Sequence, residues 1–343
     1  MRIVLDAMGS DQFPEPEIAA ALQAPQVFGE EIILVGNLDQ IKPRLKALAG
    51  TNPPVKLVHA PETIQMGDKA ASSARRKAQN SMAIGMELVK SGEADAFITA
   101  GNTGGAMASA LFTIGRIRGV KRPALAGIFP VKNGYCIVAD IGANAECKPE
   151  YLLQFAAMTS IYSQKVFGIE NPRVGLISNG EEAGKGNDLV KATYPLLEKS
   201  GLNFIGNIEG KELFGGHADV AITDGFTGNV LLKSSEAVAK LLTEILRTEL
   251  KSNPVTMLGA LLAKPAFGRL KAMMDPSEVG AAPLLGIDGL VFVGHGRSDA
   301  KALISAIRVA RQAVASDLLP AMRTAVQSQL AQMAHLFAGE AAD

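Results

Sequence analysis

Short apolar runs separated by longer amphipathic stretches recur along the whole chain. Runs such as Ile3–Leu5, Ile32–Val35 and Val220–Ile222 are typical of strands that are buried on both faces. Each run is followed by a polar turn that is rich in glycine, and then by residues with the spacing of a helix. This alternation predicts an α/β fold in which helices cover both faces of a mainly parallel sheet, giving three layers.

Three further predictions concern the layout of these elements. Residues Ala71–Lys90 have a continuous helical pattern and are predicted to form one helix. Ala124–Phe129 and Tyr135–Ala139 are predicted to form either a hairpin or two successive strands. No linker or low-complexity segment divides the chain, so residues 1–316 are expected to form a single unit, followed at 317–343 by a helix and a tail.

One strand-turn-helix unit occurs twice in the sequence. Ala94–Gly105 reads ADAFITAGNTGG, and Ala218–Asn229 reads ADVAITDGFTGN 124 residues later, with seven of twelve positions identical. We use the word tip for the polar turn at the end of a strand. Glycines in a tip allow the backbone to approach a ligand closely, and the free N–H groups at the start of a helix attract an anion. The repeat therefore predicts that such tips meet around one small anionic group.

The other predicted strands also end in polar residues. Ligands of open α/β sheets bind outside the carboxyl ends of the strands, so these tips supply the candidate residues for binding a substrate such as phosphate. The candidates are Asp6, Gly9, Asn102, Thr103, Gly104, Asp140, Asn144, Asn179, Asp224, Asn229 and His295. Lys185 and Lys233 each follow a tip, and lysine is a natural point-charge partner for phosphate. His295 lies between two glycines and is the best placed of the four histidines.

Composition narrows the classes of function. Lys plus Arg and Asp plus Glu both total 34, so no overall positive field draws the protein to nucleic acid. Cys136 and Cys147 lack the spacing of a metal site, and we expect no metal. Gly180–Lys185 is one residue short of a Walker A loop, and no Gly-x-Gly-x-x-Gly follows the first strand, so we expect no nucleotide cofactor. Two cysteines and no signal peptide favour a cytosolic setting.

Two local features contrast with this neutral background. The positive clusters around Arg75 and Arg76 and around Arg118 and Arg122 are interpreted either as solvated faces or as a docking site for an acidic protein. Residues Pro254–Gly268 are apolar on nearly all sides and have cationic flanks. This segment is too short to span a bilayer, and three roles stay open: a dimer contact, an insertion into the membrane interface, or a buried core helix. The residues assigned to the membrane contact are Leu258, Leu261, Leu262 and Phe267.

Six motifs, occurring in order, give the chain a resemblance to a known family. They are DAMGSD at Asp6–Asp11, AGNTGG at Ala100–Gly105, DIGAN at Asp140–Asn144, NGEEAGKGN at Asn179–Asn187, DGFTGNVLLKSSE at Asp224–Glu236 and GAAPLLGIDGLVFVGHGRS at Gly280–Ser298. Together they closely resemble the bacterial acyl-ACP:phosphate acyltransferases of the PlsX family, over roughly residues 1 to 316. The chain departs from the usual family pattern at Ser10 and Gln12.

The resemblance implies an activity and a fold. Members convert a fatty acyl-[acyl carrier protein] and inorganic phosphate into acyl phosphate and free carrier protein. Their product feeds the glycerol-3-phosphate acyltransferase step of phospholipid synthesis. The implied fold resembles that of isocitrate dehydrogenase and phosphotransacetylase, which is dimeric and has a cleft between two intertwined lobes. The family is also described as peripheral to the membrane, which agrees with one interpretation of Pro254–Gly268.

The implied chemistry needs no nucleophile from the protein, because phosphate itself attacks the thioester carbonyl. Lys185 or Lys233 would supply positive charge, and His295 would donate a proton to the departing sulfur. Asp224 or Asp140 would orient a lysine or take a proton from phosphate. Three other classes stay open: a phosphotransacetylase-like enzyme that uses acyl-CoA, a metal- and NAD-dependent decarboxylating dehydrogenase, and a lipid or carrier-protein binding module without catalysis.

Overall fold

The computed structural model of the chain describes residues 1–50, 53–274 and 280–340. The strands are β1 (Arg2–Asp6), β2 (Glu31–Gly36), β3 (Lys56–His59), β4 (Ala96–Thr99), β5 (Ala124–Val131), β6 (Gly134–Ala139), β7 (Val174–Ile177), β8 (Phe204–Ile208), β9 (Val220–Ile222), β10 (Ala281–Leu285) and β11 (Val291–Gly294). The helices are α1 (Glu15–Phe28), α2 (Leu38–Ala49), α3 (Ala70–Arg76), α4 (Ser81–Lys90), α5 (Thr103–Thr113), α6 (Pro149–Phe167), α7 (Asp188–Glu198), α8 (Gly210–Gly215), α9 (Gly225–Leu250), α10 (Pro254–Leu262), α11 (Lys264–Met274), α12 (Ala300–Ala315) and α13 (Leu318–Glu340).

Within these described residues, the strands form a single sheet with the order β3-β2-β1-β4-β11-β10-β5-β6-β9-β7-β8. The first five strands of this order are parallel to one another, and so are the last four. The two parallel sets run in opposite directions, because β10 is antiparallel to β11 and to β5, and β5 is antiparallel to β6. The carboxyl ends of the two sets therefore point toward opposite edges of the sheet.

The two halves of the sheet are related by an approximate two-fold symmetry. From the centre outwards, β10, β11, β4 and β1 of one half take the same places as β5, β6, β9 and β7 of the other. The two copies of the sequence repeat accordingly occupy equivalent strands, β4 and β9. An ion pair repeats as well: Asp95 accepts from the Arg2 side chain at 2.9 Å, and Asp219 accepts from the Arg173 side chain at 2.8 Å. The sequence repeat is thus the trace of a structural repeat.

Helices cover both faces of the sheet, as the sequence predicts. On one face, α1, α2, α6, α7, α12 and α13 pack over a core that includes Phe155, Tyr162 and Leu303. On the other face, α3, α4, α5, α8 and the start of α9 pack over a second core that includes Val35 and Phe97. Burial of the sheet on both sides explains why the strands are continuous apolar runs. The predicted three-layer α/β fold is confirmed.

The structure differs from the predicted elements in one helix. The continuous pattern of Ala71–Lys90 is interrupted between α3 and α4, so one helix over that range is wrong. The Asn80 side chain caps α4 by accepting from the Ala83 N–H at 2.9 Å, and it also donates to the Lys77 carbonyl at 2.6 Å. The N-cap residue has an extended backbone, so Asn80 starts a new helix instead of continuing α3.

One pair of predicted strands forms a hairpin, and one strand of the sheet was not predicted. Ala124–Phe129 and Tyr135–Ala139 form the hairpin β5–β6, in antiparallel register. The short strand β10, reading AAPLL, has no counterpart among the predicted elements. Its pairing with β5, which is distant in the sequence, is what reverses the direction of the sheet.

The last helix, α13, packs against the same core as the rest of the chain. Leu318, Met322 and Val326 are buried, and the Gln329 amide donates to the Leu153 carbonyl in α6 at 3.1 Å. The apolar cluster is thus continuous across residue 316, where the sequence places a boundary between units.

The end of α9 and all of α10 extend away from the sheet. Exposed apolar side chains line this part of α9, including Leu241, Leu242 and Ile245. None of the residues Pro254–Gly268 is buried, so the alternative of a buried core helix for that segment is wrong. Among the residues that the structure describes, no helix combines the length and the apolar character needed to cross a membrane.

Candidate active site

The first copy of the repeat ends in a tip with free backbone donors. Asn102 caps α5, since its Oδ1 accepts from the Gly105 N–H at 2.8 Å and its Nδ2 donates to the Met66 carbonyl at 2.9 Å. The N–H groups of Thr103 and Gly104 have no acceptor among the described residues. The start of α5 therefore offers two N–H groups and the positive end of the helix dipole to an anion.

The tips of β1, β4 and β11 contact one another beside this helix start. Asp6 is fully buried and accepts from the Thr99 hydroxyl at 2.7 Å, which ties the end of β1 to the end of β4. A Cβ on Gly9 would lie 2.8 Å from the Gly101 nitrogen, so only glycine fits at that position. The Asp11 N–H donates to the Gly296 carbonyl at 2.7 Å. The Asp6–Thr99 hydrogen bond and the close approach of Gly9 to Gly101 thus hold the tips of β1 and β4 together.

Four charged or basic side chains meet where α9 passes the β11 tip, and we name them the His295 cluster: Lys233, Glu236, His295 and Arg297. The Lys233 ammonium lies 3.3 Å from His295 Nε2 and 3.2 Å from Glu236 Oε2. The other carboxylate oxygen, Oε1, lies 3.3 Å from His295 Nε2. Arg297 Nη2 lies 3.7 Å from Glu236 Oε2. This cluster concentrates positive charge around one carboxylate.

Burial and neighbouring charges change the proton affinity of the His295 cluster. Burial, together with the Lys233 ammonium, lowers the pKa of His295 below its usual value. Burial alone would raise the pKa of Glu236, but the hydrogen bond from Lys233 and the cationic neighbours outweigh it and hold that pKa below its usual value. His295 is therefore neutral near pH 7, and Glu236 is ionised.

At the second copy of the repeat, the neighbouring tips of β6 and β9 have polar side chains that are already engaged. Asp140 accepts from the backbone N–H groups of Leu125, Gly142, Ala143 and Asn144 and from the Asn144 amide, at 2.7 to 3.1 Å. Asp224 caps α9 by accepting from the N–H and the hydroxyl of Thr227 at 2.8 and 2.7 Å. Asp140 and Asn144 thus hold the backbone of the β6 tip in place, and Asp224 holds that of the β9 tip.

One face of α9 links the two groups of tips. Asn229, near the start of the helix, lies beside Gly142, since a Cβ on that glycine would be 3.7 Å from the Asn229 Cβ. Lys233 follows one helical turn later and contacts His295. From Asn229 to Glu236 the helix rises only about 10 Å. The opposite directions of the two parallel sets therefore do not separate the sites, because α9 bridges them.

Asn179 and Lys185 lie apart from the His295 cluster, in the loop after β7. Asn179 accepts from the Gly186 N–H at 2.9 Å, and the exposed Lys185 side chain lies beside Gly180. Among the described residues, no hydrogen bond or ion pair joins Lys185 to the cluster. The catalytic role predicted for Lys185 stays a prediction.

The four arginines predicted for carrier docking lie in α3 and in the connector that follows α5. Arg75 in α3 stacks over the Phe112 ring at 5.0 Å, and Arg76 follows it. Arg118 and Arg122 lie in the exposed connector that follows α5. All four arginines are exposed, and Arg75 lies on an exposed aromatic ring.

Sequence reasoning missed Glu236 and Arg297. The spacing of Glu236, three residues after Lys233, places both side chains on one face of a helix, and this signal is present in the sequence. The contact of Glu236 with the β11 tip joins residues that are 59 positions apart in the sequence. No local pattern reports such a contact.

The fold is similar to that of phosphotransacetylases of known structure. A phosphotransacetylase from Streptococcus pyogenes matches with a TM-score of 0.60 at 16% identity, covering 95% of this chain and 94% of that one. The EutD phosphotransacetylase from Staphylococcus aureus matches with a TM-score of 0.55 at 18% identity and the same coverage. At these identities the likeness shows the fold alone. The chain is thus an α/β protein of the phosphotransacetylase fold class.

Sequence comparison then identifies the family. A family model described as fatty acid synthesis protein matches residues 1–320. A phosphate acyltransferase from Pelotomaculum thermopropionicum is 46% identical over 329 residues, which cover 96% of each chain. Another from Elusimicrobium minutum is 49% identical over 317 residues, covering 92% of this chain and 93% of that protein. The chain belongs to this fatty acid synthesis family, and it is an enzyme of the acyltransferase class.

Proposed function

We propose that the enzyme transfers a fatty acyl group from the thioester of acyl carrier protein to inorganic phosphate, which gives acyl phosphate and free carrier protein. Family membership supports the reaction class. The observation that carries the location is the charge of the two helix caps: a neutral amide, Asn102, caps α5, whereas a carboxylate, Asp224, caps α9. A carboxylate repels phosphate, so we place phosphate at the α5 tip, near Thr103 and Gly104.

The residues around this tip support a direct attack by phosphate. The Lys233 ammonium and the helix N–H groups hold the phosphate and stabilise the oxyanion that forms when a phosphate oxygen attacks the thioester carbonyl. The oxyanion then collapses to the acyl phosphate, the carbon–sulfur bond breaks, and the carrier leaves as a thiolate. Neutral His295 accepts the proton of hydrogen phosphate and delivers it to this sulfur. It acts as a base before it acts as the predicted proton donor.

Lys185 is the second candidate for the positive charge. If phosphate binds at the α9 tip instead, replacing Lys185 by Ala lowers turnover by roughly 10²-fold, whereas Lys233→Ala leaves it close to the wild-type rate. If phosphate binds at the α5 tip, the loss follows Lys233→Ala. Turnover of the two variants at saturating acyl donor decides between the tips.

We place carrier docking at the four exposed arginines of α3 and of the connector after α5, where Arg75 stacks on Phe112. An acidic carrier protein is attracted by such a patch, and the attraction weakens with salt. Charge reversal at Arg118 and Arg122 is expected to raise KM for the acyl carrier protein while leaving turnover of a small acyl thioester unchanged. Equal effects on both donors would remove this patch from the docking site. The residues of the patch are Arg75, Arg76, Arg118 and Arg122.

The exposed apolar residues of α9 and α10 support a homodimer and a membrane contact. We assign the apolar face of α9, with Leu241, Leu242 and Ile245, to a second copy of the chain, and α10 to the membrane interface. A cytoplasmic enzyme bound peripherally in this way passes its acyl phosphate to a glycerol-3-phosphate acyltransferase. Phe267 lies in α11 and is partly buried, so Leu258, Leu261 and Leu262 are the main apolar contacts.

A sedimentation assay tests the membrane contact. Replacing Leu258 and Leu262 by Glu is expected to abolish co-sedimentation with anionic vesicles and to spare activity on soluble substrate. Unchanged sedimentation would rule out the contact.

The donor assay tests the activity itself. Purified enzyme is incubated with phosphate and either palmitoyl carrier protein or palmitoyl-CoA, and both free thiol and acyl phosphate are measured. The proposal expects both products from the carrier-protein donor. Acyl phosphate from palmitoyl-CoA alone would indicate a phosphotransacetylase-like enzyme. Binding of the carrier without thiol release would indicate a binding module.

A further inference from the structure

One carboxylate lies at the centre of the His295 cluster. The Glu236 side chain is 21% exposed, whereas those of Lys233, His295 and Arg297 are 51%, 42% and 59% exposed. Its two oxygens are divided between partners, with Oε2 facing Lys233 and Arg297 and Oε1 facing His295. The most buried member of the cluster therefore contacts each of the other three.

An ordinary surface ion pair does not account for this arrangement. Lys233 and Glu236 are three residues apart on α9, and an exposed helical pair of that kind contributes a few tenths of a kcal/mol. Glu236 also contacts His295, which lies 59 residues later in the sequence, and so connects α9 to the β11 tip. The Lys233 ammonium and the His295 imidazole have in common a contact with this carboxylate.

We propose that Glu236 is a positioning residue for the acyl transfer, which holds Lys233 toward phosphate and fixes the tautomer of His295 in which Nε2 carries the hydrogen. This inference rests on the proposed function. A carboxylate can only accept hydrogen bonds, so its contact with His295 needs a hydrogen on Nε2. Lys233 Nζ also lies 3.3 Å from Nε2, but its ammonium donates to the other carboxylate oxygen, so we take Glu236 as the partner of Nε2. The ring nitrogen Nδ1 is then the one that accepts the proton from phosphate.

The charges that face His295 give this arrangement a measurable effect. They are Lys233 and Glu236 from α9 and Arg297 from the same tip, while Asp11 of the β1 tip lies beside the neighbouring Gly296. Glu236 raises the pKa of His295, against burial and the two cations. Glu236→Gln removes the charge but keeps the shape of the side chain, and it is therefore expected to lower the pKa of His295 further.

Glu236→Gln tests the proposal by kinetics. We expect kcat/KM for phosphate to fall on the order of 10- to 100-fold, because Lys233 loses its anchor. Neutral His295 is the active form, so activity declines as the pH falls through its pKa, and in the variant this decline is expected at lower pH. Glu236→Asp keeps the charge and is expected to restore the pH profile in part. Glu244→Gln on the exposed end of α9 is the matched control and leaves both measures unchanged.

Nitrogen NMR tests the same contact without activity. The chain has four histidines, so uniform ¹⁵N-histidine labelling gives few signals, and His295→Gln assigns those of His295. We expect a protonated Nε2 in the wild-type protein and a shifted tautomer balance and pKa in Glu236→Gln. Unchanged ring signals together with an unchanged pH profile would overturn the proposal. If the wild-type protein released no thiol from acyl carrier protein, the proposed function would fail, and the NMR result would still decide whether Glu236 positions His295.

Discussion

The two copies of the repeat begin alike and lead into different helices. Their shared residues lie in the strand and the turn, where they produce equivalent strands β4 and β9 and an Arg–Asp pair beside each. The helix after the first copy, α5, has 11 residues and five of them are buried, whereas α9 has 26 residues and only Gly225 and Gly228 are buried. The repeated residues thus specify the tip, and the residues that follow decide whether the helix packs on the sheet or extends beyond it.

The caps of the two helices differ in charge and position. Asn102 and Asp224 are not aligned in the repeat, because α9 begins two residues earlier than α5 relative to the shared positions. An amide can accept and donate, so Asn102 also binds the Met66 carbonyl, whereas the Asp224 carboxylate only accepts. The difference leaves the α5 tip without a negative charge of its own, which suits an anionic substrate.

The largest expected effect comes from removing the Lys233 ammonium, which α9 places beside the β11 tip. The residue of α5 that corresponds to Lys233 is the buried Ser109, so only the second copy supplies an ammonium. Lys233→Ala is expected to lower kcat/KM for phosphate by about 10²- to 10³-fold, since an interaction with the transition-state charge is lost. Lys240→Ala, further along the same helix and exposed, is the control. If Lys233→Ala and Lys240→Ala had similar kcat/KM values, the bridge that α9 forms between the tips would have no role in catalysis.

The next effect compares the loops after β1 and β7, which occupy equivalent places in the two halves. The β7 loop is exposed, but in the β1 loop the Ser10 N–H donates at 3.0 Å to the fully buried Glu17. Burial raises the pKa of Glu17 to about 7, with a further contribution from Asp6. Between its ordinary 4.5 and about 7 the folded state therefore holds a proton that the unfolded chain releases. The stability that comes from this proton is present below pH 4.5 and is lost by about pH 7.

Glu17→Gln keeps the acceptor for Ser10 and removes the ionisation. We expect the variant to be more stable than the wild-type protein by up to about 3 kcal/mol at pH 8, and equal to it near pH 4.5. Urea unfolding of both proteins at the two pH values measures this difference. A constant difference at both pH values would mean that Glu17 does not titrate in this range.

Exchanging the two caps tests the difference between the copies directly. Asn102→Asp keeps the acceptor for Gly105 but loses the donor to Met66 and places a carboxylate beside carbonyl oxygens, so we expect a loss of about 2 kcal/mol in unfolding free energy. Asp224→Asn keeps the acceptor for Thr227, and the loss is expected to stay below about 1 kcal/mol. Denaturant unfolding gives both values. Equal losses would show that the caps are interchangeable and would weaken the assignment of phosphate to the α5 tip.

The smallest effects are expected at the repeated ion pair. Arg2→Gln and Arg173→Gln each remove a partly exposed pair with an aspartate, and surface pairs contribute about 1 kcal/mol or less. The loss is expected to be slightly larger at Arg173, whose side chain makes three hydrogen bonds, one of them to the Gly216 carbonyl. The two values come from the same unfolding assay. A loss of several kcal/mol at either position would indicate that the pair organises its strand.

The local parts of the fold could be predicted from the sequence, and the long-range parts could not. Apolar runs and glycine-rich turns identify most strands and tips, because burial on both faces and close backbone approaches are local requirements. The break between α3 and α4 depends on tertiary contacts, such as Lys77 Nζ donating to the Thr63 carbonyl at 2.7 Å. The reversal of the sheet depends on β5 pairing with β10, more than 150 residues away.

The same distinction applies to the candidate site. His295 and Lys233 could be chosen from their positions next to tips, although nothing local predicts that they lie 3.3 Å apart. Glu236 was missed because its significance comes from a contact between α9 and the β11 tip. For Asp140 and Asp224, the sequence indicates a polar tip but not that their oxygens are used by the backbone.

A crystal structure of the enzyme soaked with inorganic phosphate tests the central claim most directly, because it shows which tip holds the anion. The charge difference between the caps predicts phosphate at the start of α5, bonded to the N–H groups of Thr103 and Gly104 and to the Lys233 ammonium. Phosphate at the start of α9 beside Lys185, with the α5 tip empty, would contradict it.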